Sequence, residues 1–172
     1  MTHEKSQIDA EFAYDVMLSQ SEGIPVSKEE ACRYLKMAAD KGQIDAMHRY
    51  GRMLCNGEGV SMNKEEACRY FKMAADKGHV ESMYNYGLML DAGEGVSMNK
   101  EEACRYLKMA ADKGLIEALY NYGAILFNGE GVSMNKEEAG RYYKMAADGG
   151  HINAMYNYGL MLDNGEGVVM NK

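Results

Sequence analysis

Four cysteines and four histidines carry most of the metal-ligating or nucleophilic potential of this sequence. Cys32, Cys68 and Cys104 recur every thirty-six residues, with Gly140 in the fourth place. A structural zinc site needs clustered ligands, and none of the three has a second close one. Helices stacked side by side lie about 10 Å apart, whereas a disulfide needs Cα atoms within about 7 Å. The spacing therefore predicts reduced thiols serving as small apolar fillers. His79 and His151 share a column with Gln43 and Leu115. No histidine sits in a Cys, Ser or carboxylate pattern that suggests a nucleophile and base or a metal site. The expectation is no catalytic residue, no enzyme activity, no metal and no cofactor.

Gly93-Glu-Gly-Val96 recurs at 57–60, 129–132 and 165–168. Glycine-rich loops can cradle phosphate through backbone amides. This one follows a helical pattern rather than a strand, lacks the Lys-Ser/Thr of a P-loop, and carries a glutamate that repels phosphate. It reads as a plain turn. The Lys-Glu-Glu runs read as favourable charges at helix starts and on solvated faces.

The elements holding these residues follow from the repeat itself. Residues 60–78 and 96–114 differ only at Phe71 against Leu107, which reads as recent duplication. Aligned columns include Gly51, Gly87, Gly123 and Gly159, and Ala31, Ala67, Ala103 and Ala139. The chain, 1–172, reads as a single repeat domain with units 8–43, 44–79, 80–115, 116–151 and an incomplete 152–172. In unit 80–115, Val80, Met83, Tyr86, Met89 and Leu90 lay one apolar stripe along a first helix. Asn99-Lys-Glu-Glu102 then predicts a capping box starting a second helix, with Met98 and Ala103 as a staple. The inner stripe of that helix is Ala103, Tyr106, Leu107, Ala110 and Ala111, and Gly114 stops it. A glycine at 87, inside a helix, costs about 1 kcal/mol relative to alanine. Close packing against a ring such as Tyr70 or Tyr106 is the expected compensation.

With 172 residues, 19 basic against 26 acidic, the net charge is -7, so a nucleic-acid backbone is not an expected partner. Neither a leader peptide nor a run long enough to span a bilayer is legible. The reduced thiols point to a cytoplasmic, reducing setting.

The columns Ala118-Leu-Tyr-Asn-Tyr-Gly123-Ala-Ile-Leu126, Gly129-Glu-Gly-Val132, Asn135-Lys-Glu-Glu-Ala139, Tyr142-Tyr-Lys-Met-Ala-Ala147 and Gly150 carry a family resemblance. The chain resembles a run of Sel1-like repeats, relatives of the tetratricopeptide repeat. Departures are Tyr-Gly-x-x-Leu where the family has Leu-Gly-x-x-Tyr, Tyr where Trp is usual, and Asn where the cap is often Asp. The resemblance implies an all-α, right-handed α-solenoid of stacked antiparallel helix pairs, a Sel1-like/TPR-like superhelix. It also implies a non-catalytic scaffold or adaptor for protein-protein interaction, binding an extended peptide or partner segment on the concave face lined by the first helix of each repeat.

Two columns lie on the outward face of that helix with Glu81, Leu88 and Asp91. Phe12, His48, Tyr84, Tyr120 and Tyr156 form an aromatic ladder beside Arg49, Asn85, Asn121 and Asn157. Tyrosine offers flat area with a hydroxyl, and an asparagine amide pairs with a peptide backbone. The resemblance supports that role for Asn85, Asn121 and Asn157. The other reading is that both columns only pack against neighbouring helices. His48, Arg49 and Arg52 make unit two locally basic, suited to an acidic peptide or to solvation alone.

Glu11 and Asp15 stand where later units are apolar or glycine, as in a polar terminal cap. At the other end, Tyr158, Met161 and Leu162 are expected to lack cover. That implies either a fragment of a longer array or a last helix covered by another molecule. The alternative function is thus a structural assembly element that self-associates through its terminal helix.

Overall fold

The computed structural model describes residues 27–167, so Phe12, Glu11 and Asp15 lie outside the described residues. The chain divides into two compact units, residues 1–79 and 80–172. In the first, α1 (Lys28–Asp40), α2 (Ile44–Asn56) and α3 (Lys64–Asp76) follow one another. The second holds α4 (Val80–Ala92), α5 (Lys100–Asp112), α6 (Ile116–Asn128), α7 (Lys136–Asp148) and α8 (Ile152–Asn164). Within each unit every helix packs on the next, giving stacked pairs, and no strand occurs among the described residues.

Apolar spacing and caps account for these elements. Ala103, Tyr106, Leu107, Ala110 and Ala111 are all buried on α5, as their 3.6-residue rhythm requires. Asn99 Oδ1 accepts from the Glu102 N–H at 3.1 Å, a cap of about 1 kcal/mol. The reciprocal half of the capping box differs from expectation. The backbone N–H of Asn99 donates to the Leu90 carbonyl of α4 at 2.9 Å. Glu102 instead takes the side-chain amide of Asn99 at 3.3 Å. The loop folds back far enough for the N-cap donor to reach the preceding helix, and Asn135 repeats this with Leu126. Met98, the expected staple residue, is 64% exposed, with its Cβ set against Gly93.

Gly51, Gly87 and Gly123 are closely packed, as the sequence demands, but against other residues than Tyr70 and Tyr106, and Gly159 has open space around it. A Cβ added at Gly87 would stand 2.8 Å from Leu107 Cγ, and one at Gly123 would stand 3.0 Å from the Tyr143 ring. Gly51 faces Phe71 in the same way. Tyr70 and Tyr106, the expected partners, lie one residue earlier on their helices and so point about 100° away. Their rings meet Tyr50 and Tyr86 edge-on, at 4.8 and 4.7 Å.

The Gly-Glu-Gly loop proves to be more than a turn. Gly131 has φ +70°, and an added Cβ would run into the Lys100 carbonyl at the start of α5. Between the glycines, Glu130 accepts from Lys100 Nζ at 2.9 Å, and Glu166 from Lys136 at 3.2 Å. Glu58 meets Lys28 at 3.5 Å in the first unit. Lys28, Lys100 and Lys136, each the lysine of a Lys-Glu-Glu run and read as a solvated charge, therefore meet the loop of the following repeat. Cys32, Cys68 and Cys104 are buried and Cys55 is half-buried, and none of the four forms a disulfide. Burial pushes the Cys32 and Cys104 thiols up, towards the unreactive protonated form.

Candidate functional site

In the first unit, α2 carries His48, Arg49 and Arg52. The His48 ring stacks on His79 at 4.5 Å and tilts against Phe71 at 5.7 Å. His79 Nε2 lies 3.5 Å from Asp45 Oδ1. Arg49 is half-buried and Arg52 exposed. A hydrogen bond from Asn56, then the Lys28 charge, and more weakly Arg52, hold the Glu58 carboxyl below the usual carboxylate range. Part of the basic character of α2 is thus answered within its own unit.

In the second unit the corresponding faces belong to α4, α6 and α8. The Tyr and Asn columns meet each other across successive first helices: Asn121 Nδ2 on α6 donates to the Tyr84 hydroxyl on α4 at 3.0 Å. Burial raises the Tyr84 phenol first, and the Asn121 bond opposes it. Tyr120 does not repeat that bond. Its ring stacks on His151 at 4.3 Å and tilts towards Tyr143 at 5.8 Å. His151 in turn caps α8, Nδ1 accepting from the Ala154 N–H at 3.2 Å. Asn157 hydrogen-bonds the Tyr143 hydroxyl, an interaction that offsets part of the rise burial imposes on that phenol. Asn85 is half-buried, and Tyr156 is 67% exposed. Packing therefore engages Tyr84, Tyr120, Asn121 and Asn157, each of which keeps part of its surface in solvent.

A solvent-open cleft of about 370 Å³ lies between α6 and α8, floored by Tyr143 of α7. Its walls include Ala124 and Phe127 on α6 and Leu160 and Met161 on α8, with Asn157 at the rim. Sequence reasoning missed this wall. The signal was present as a break in the columns: position 124 is alanine where 52, 88 and 160 are Arg, Leu and Leu, and position 127 is phenylalanine where 55, 91 and 163 are Cys, Asp and Asp. Lys136 Nζ sits 4.9 Å from the Phe127 ring centroid and reaches Glu166, fixing that wall from behind.

Exposure of the last helix differs from expectation at one residue. Leu162 is exposed and Tyr158 half-buried, whereas Met161 is 3% exposed because it turns into the cleft against α6 and α7.

A Sel1 repeat model matches residues 12–43, 44–79, 80–115, 116–151 and 152–170. This chain belongs to the Sel1 repeat family. Sel1 repeat proteins generally act as protein-interaction scaffolds and are generally non-catalytic. A protective antigen of uropathogenic Escherichia coli strains, displaying an SLR fold, is 29% identical with a TM-score of 0.85, covering 95% of this chain and 34% of its own. A Sel1 repeat protein from Oxalobacter formigenes is 27% identical with a TM-score of 0.81, covering 95% and 63%. Helicobacter pylori cysteine rich protein B shares the fold at 20% identity and a TM-score of 0.53, over 65% of this chain and 93% of its own. This Sel1 repeat chain thus spans less than two thirds of the first two structures it matches. Among curated proteins, no sequence matches it. The paired, stacked helices are those of an SLR-type α-solenoid. No helix among the described residues is long and apolar enough to cross a membrane.

Proposed function

We propose that the Sel1 repeats of the second unit bind an extended segment of a partner protein along the outward faces of α4, α6 and α8. One observation carries this reading. Leu88 is 37%, Tyr156 67% and Leu160 42% exposed, and they share these faces with the half-buried amides of Asn85 and Asn157. Apolar area interleaved with amides matches the alternating needs of an extended peptide, side-chain burial and main-chain hydrogen bonds. Tyr84, Tyr120 and Asn121 hold the geometry of that face and contribute their exposed edges. In the first unit, His48, Arg49 and Arg52 offer a separate patch for an acidic segment.

The test removes contact residues that the fold does not use. Asn85→Ala combined with Tyr156→Ala is expected to lose at least tenfold in capture of a partner that the unaltered protein binds, with the thermal midpoint within about 2 °C. Undiminished capture overturns the reading.

A second reading has its own observation. Ile152 is 79% exposed, and Met155 and Leu162 on the same stripe of α8 are exposed although their counterparts Met83 and Leu90 are buried. Self-association through this stripe predicts a mass that rises with concentration in sedimentation and falls back with Ile152→Glu.

A further inference from the structure

We propose that the cleft between α6 and α8 anchors one bulky apolar side chain, of the leucine, methionine or phenylalanine class, from a partner segment carrying a lysine or arginine close by. The proposal rests on the reading of this face as a peptide surface and specifies which chemistry it selects. The cleft, about 370 Å³, falls at the small end of the range that encloses ligands, enough for one or two side chains. Ala124, Phe127, Tyr143, Leu160 and Met161 give it an apolar and aromatic part, while Asn128, Asn157, Asn164 and Glu166 line the rest, where an asparagine amide can meet a peptide backbone.

The cavity exists because residue 124 is small. Leu88 and Leu160 occupy the same place in neighbouring repeats, and a leucine there would project its side chain into the gap. Phe127 supplies the wall on the next turn of α6, three residues on, where the other repeats have Cys or Asp.

Charge selects the flanking residue. The helices α4, α6 and α8 contain no lysine or arginine. Glu117 lies on the stripe of α6 that includes Asn121 and Ala124, and Asp163 one turn beyond Leu160 on α8, both exposed. The lysine at the cleft wall, Lys136, is committed to Glu166 and to the Phe127 ring. His151 lies against Tyr120. Glu117 and Asp163 stand outside the cleft lining, on the two helices that wall it, and neither has an ion-pair partner among the described residues. A cation flanking the anchor side chain is drawn to them, and the attraction weakens as salt is added.

The test is a ¹⁵N NMR titration of the full chain with nine-residue peptides: a central Phe flanked by lysines, the same peptide with central Ala, and one with central Phe flanked by glutamates. The lysine-flanked Phe peptide is expected to shift amides within 120–128 and 157–166, with Kd at least tenfold lower than either control. Ala124→Leu, a residue the fold already accepts at 88 and 160, is expected to raise that Kd at least tenfold with unfolding unchanged. Shifts that persist in Ala124→Leu, or no preference for the apolar centre, overturn the cleft assignment. If those shifts still vanish with Asn85→Ala and Tyr156→Ala, the broader docking face survives without it. An absence of shifts with all three peptides also overturns the anchor proposal, and leaves the capture experiment to decide the face.

Discussion

Two first helices, α2 in the first unit and α6 in the second, keep the same inner side and differ on the outer one. Tyr50 and Tyr122 each meet a second-helix tyrosine edge-on, at 4.8 and 4.7 Å. Gly51 and Gly123 each lie under a ring, and Leu54 and Leu126 are fully buried. Outside, His48, Arg49, Arg52 and Cys55 of α2 are answered by Tyr120, Asn121, Ala124 and Phe127 of α6. Core packing tolerates little change in volume, whereas a solvated position is free to diverge. Two distinct surfaces, one basic and one carrying a cleft, can therefore stand on one frame.

The largest expected effect tests whether the frame is shared. Gly59→Ala and Gly131→Ala each put a side chain at positive φ and into the carbonyl of Lys28 or Lys100. Each should cost about 2–4 kcal/mol from strain and overlap, read by hydrogen exchange in the helices of its own unit. A unit that tolerates the change breaks the equivalence.

Alkaline pH gives a smaller, graded difference. Burial, as the leading cause, pushes Tyr50 in the first unit and Tyr122 and Tyr142 in the second up to about 12. Their unfolded values lie near 10. A raised folded value means the neutral phenol is favoured by folding, so this stability is complete below pH 10 and is lost as pH climbs towards 12. Hydrogen exchange followed from pH 9 to 12 should show the second unit loosening more than the first. Equal loosening would place the two cores on a par.

Smallest is the ion-pair ladder. Glu58→Gln and Glu130→Gln should each cost less than about 1 kcal/mol, because both pairs are solvated. Urea midpoints that shift by more would make the ladder a structural tie rather than a solvated clasp.

Much of the frame was legible in the sequence. Ala103, Leu107 and Ala110 repeat with the period of a helix face, and Asn99 and Gly114 mark its ends through local hydrogen bonding and backbone conformation. Such features depend on residues within one or two turns, which is why pattern alone finds them. The partner of Gly87 was misjudged by one residue, since Tyr106 and Leu107 are both apolar and only the rotation of α5 against α4 selects between them. The site was less legible still. Ala124 looks like any small surface residue until α8 brings Leu160 and Met161 alongside it.

By itself the sequence determined the helices, their caps, their repeat and the family, because hydrophobic period and terminal hydrogen bonds are written in neighbouring residues. Tertiary structure decided that Asn121 reaches Tyr84, that Lys100 reaches Glu130, and that Ala124 opens a cleft. Those outcomes join residues about thirty or more positions apart, and only the angle and offset at which one helix settles on another determine which of them touch.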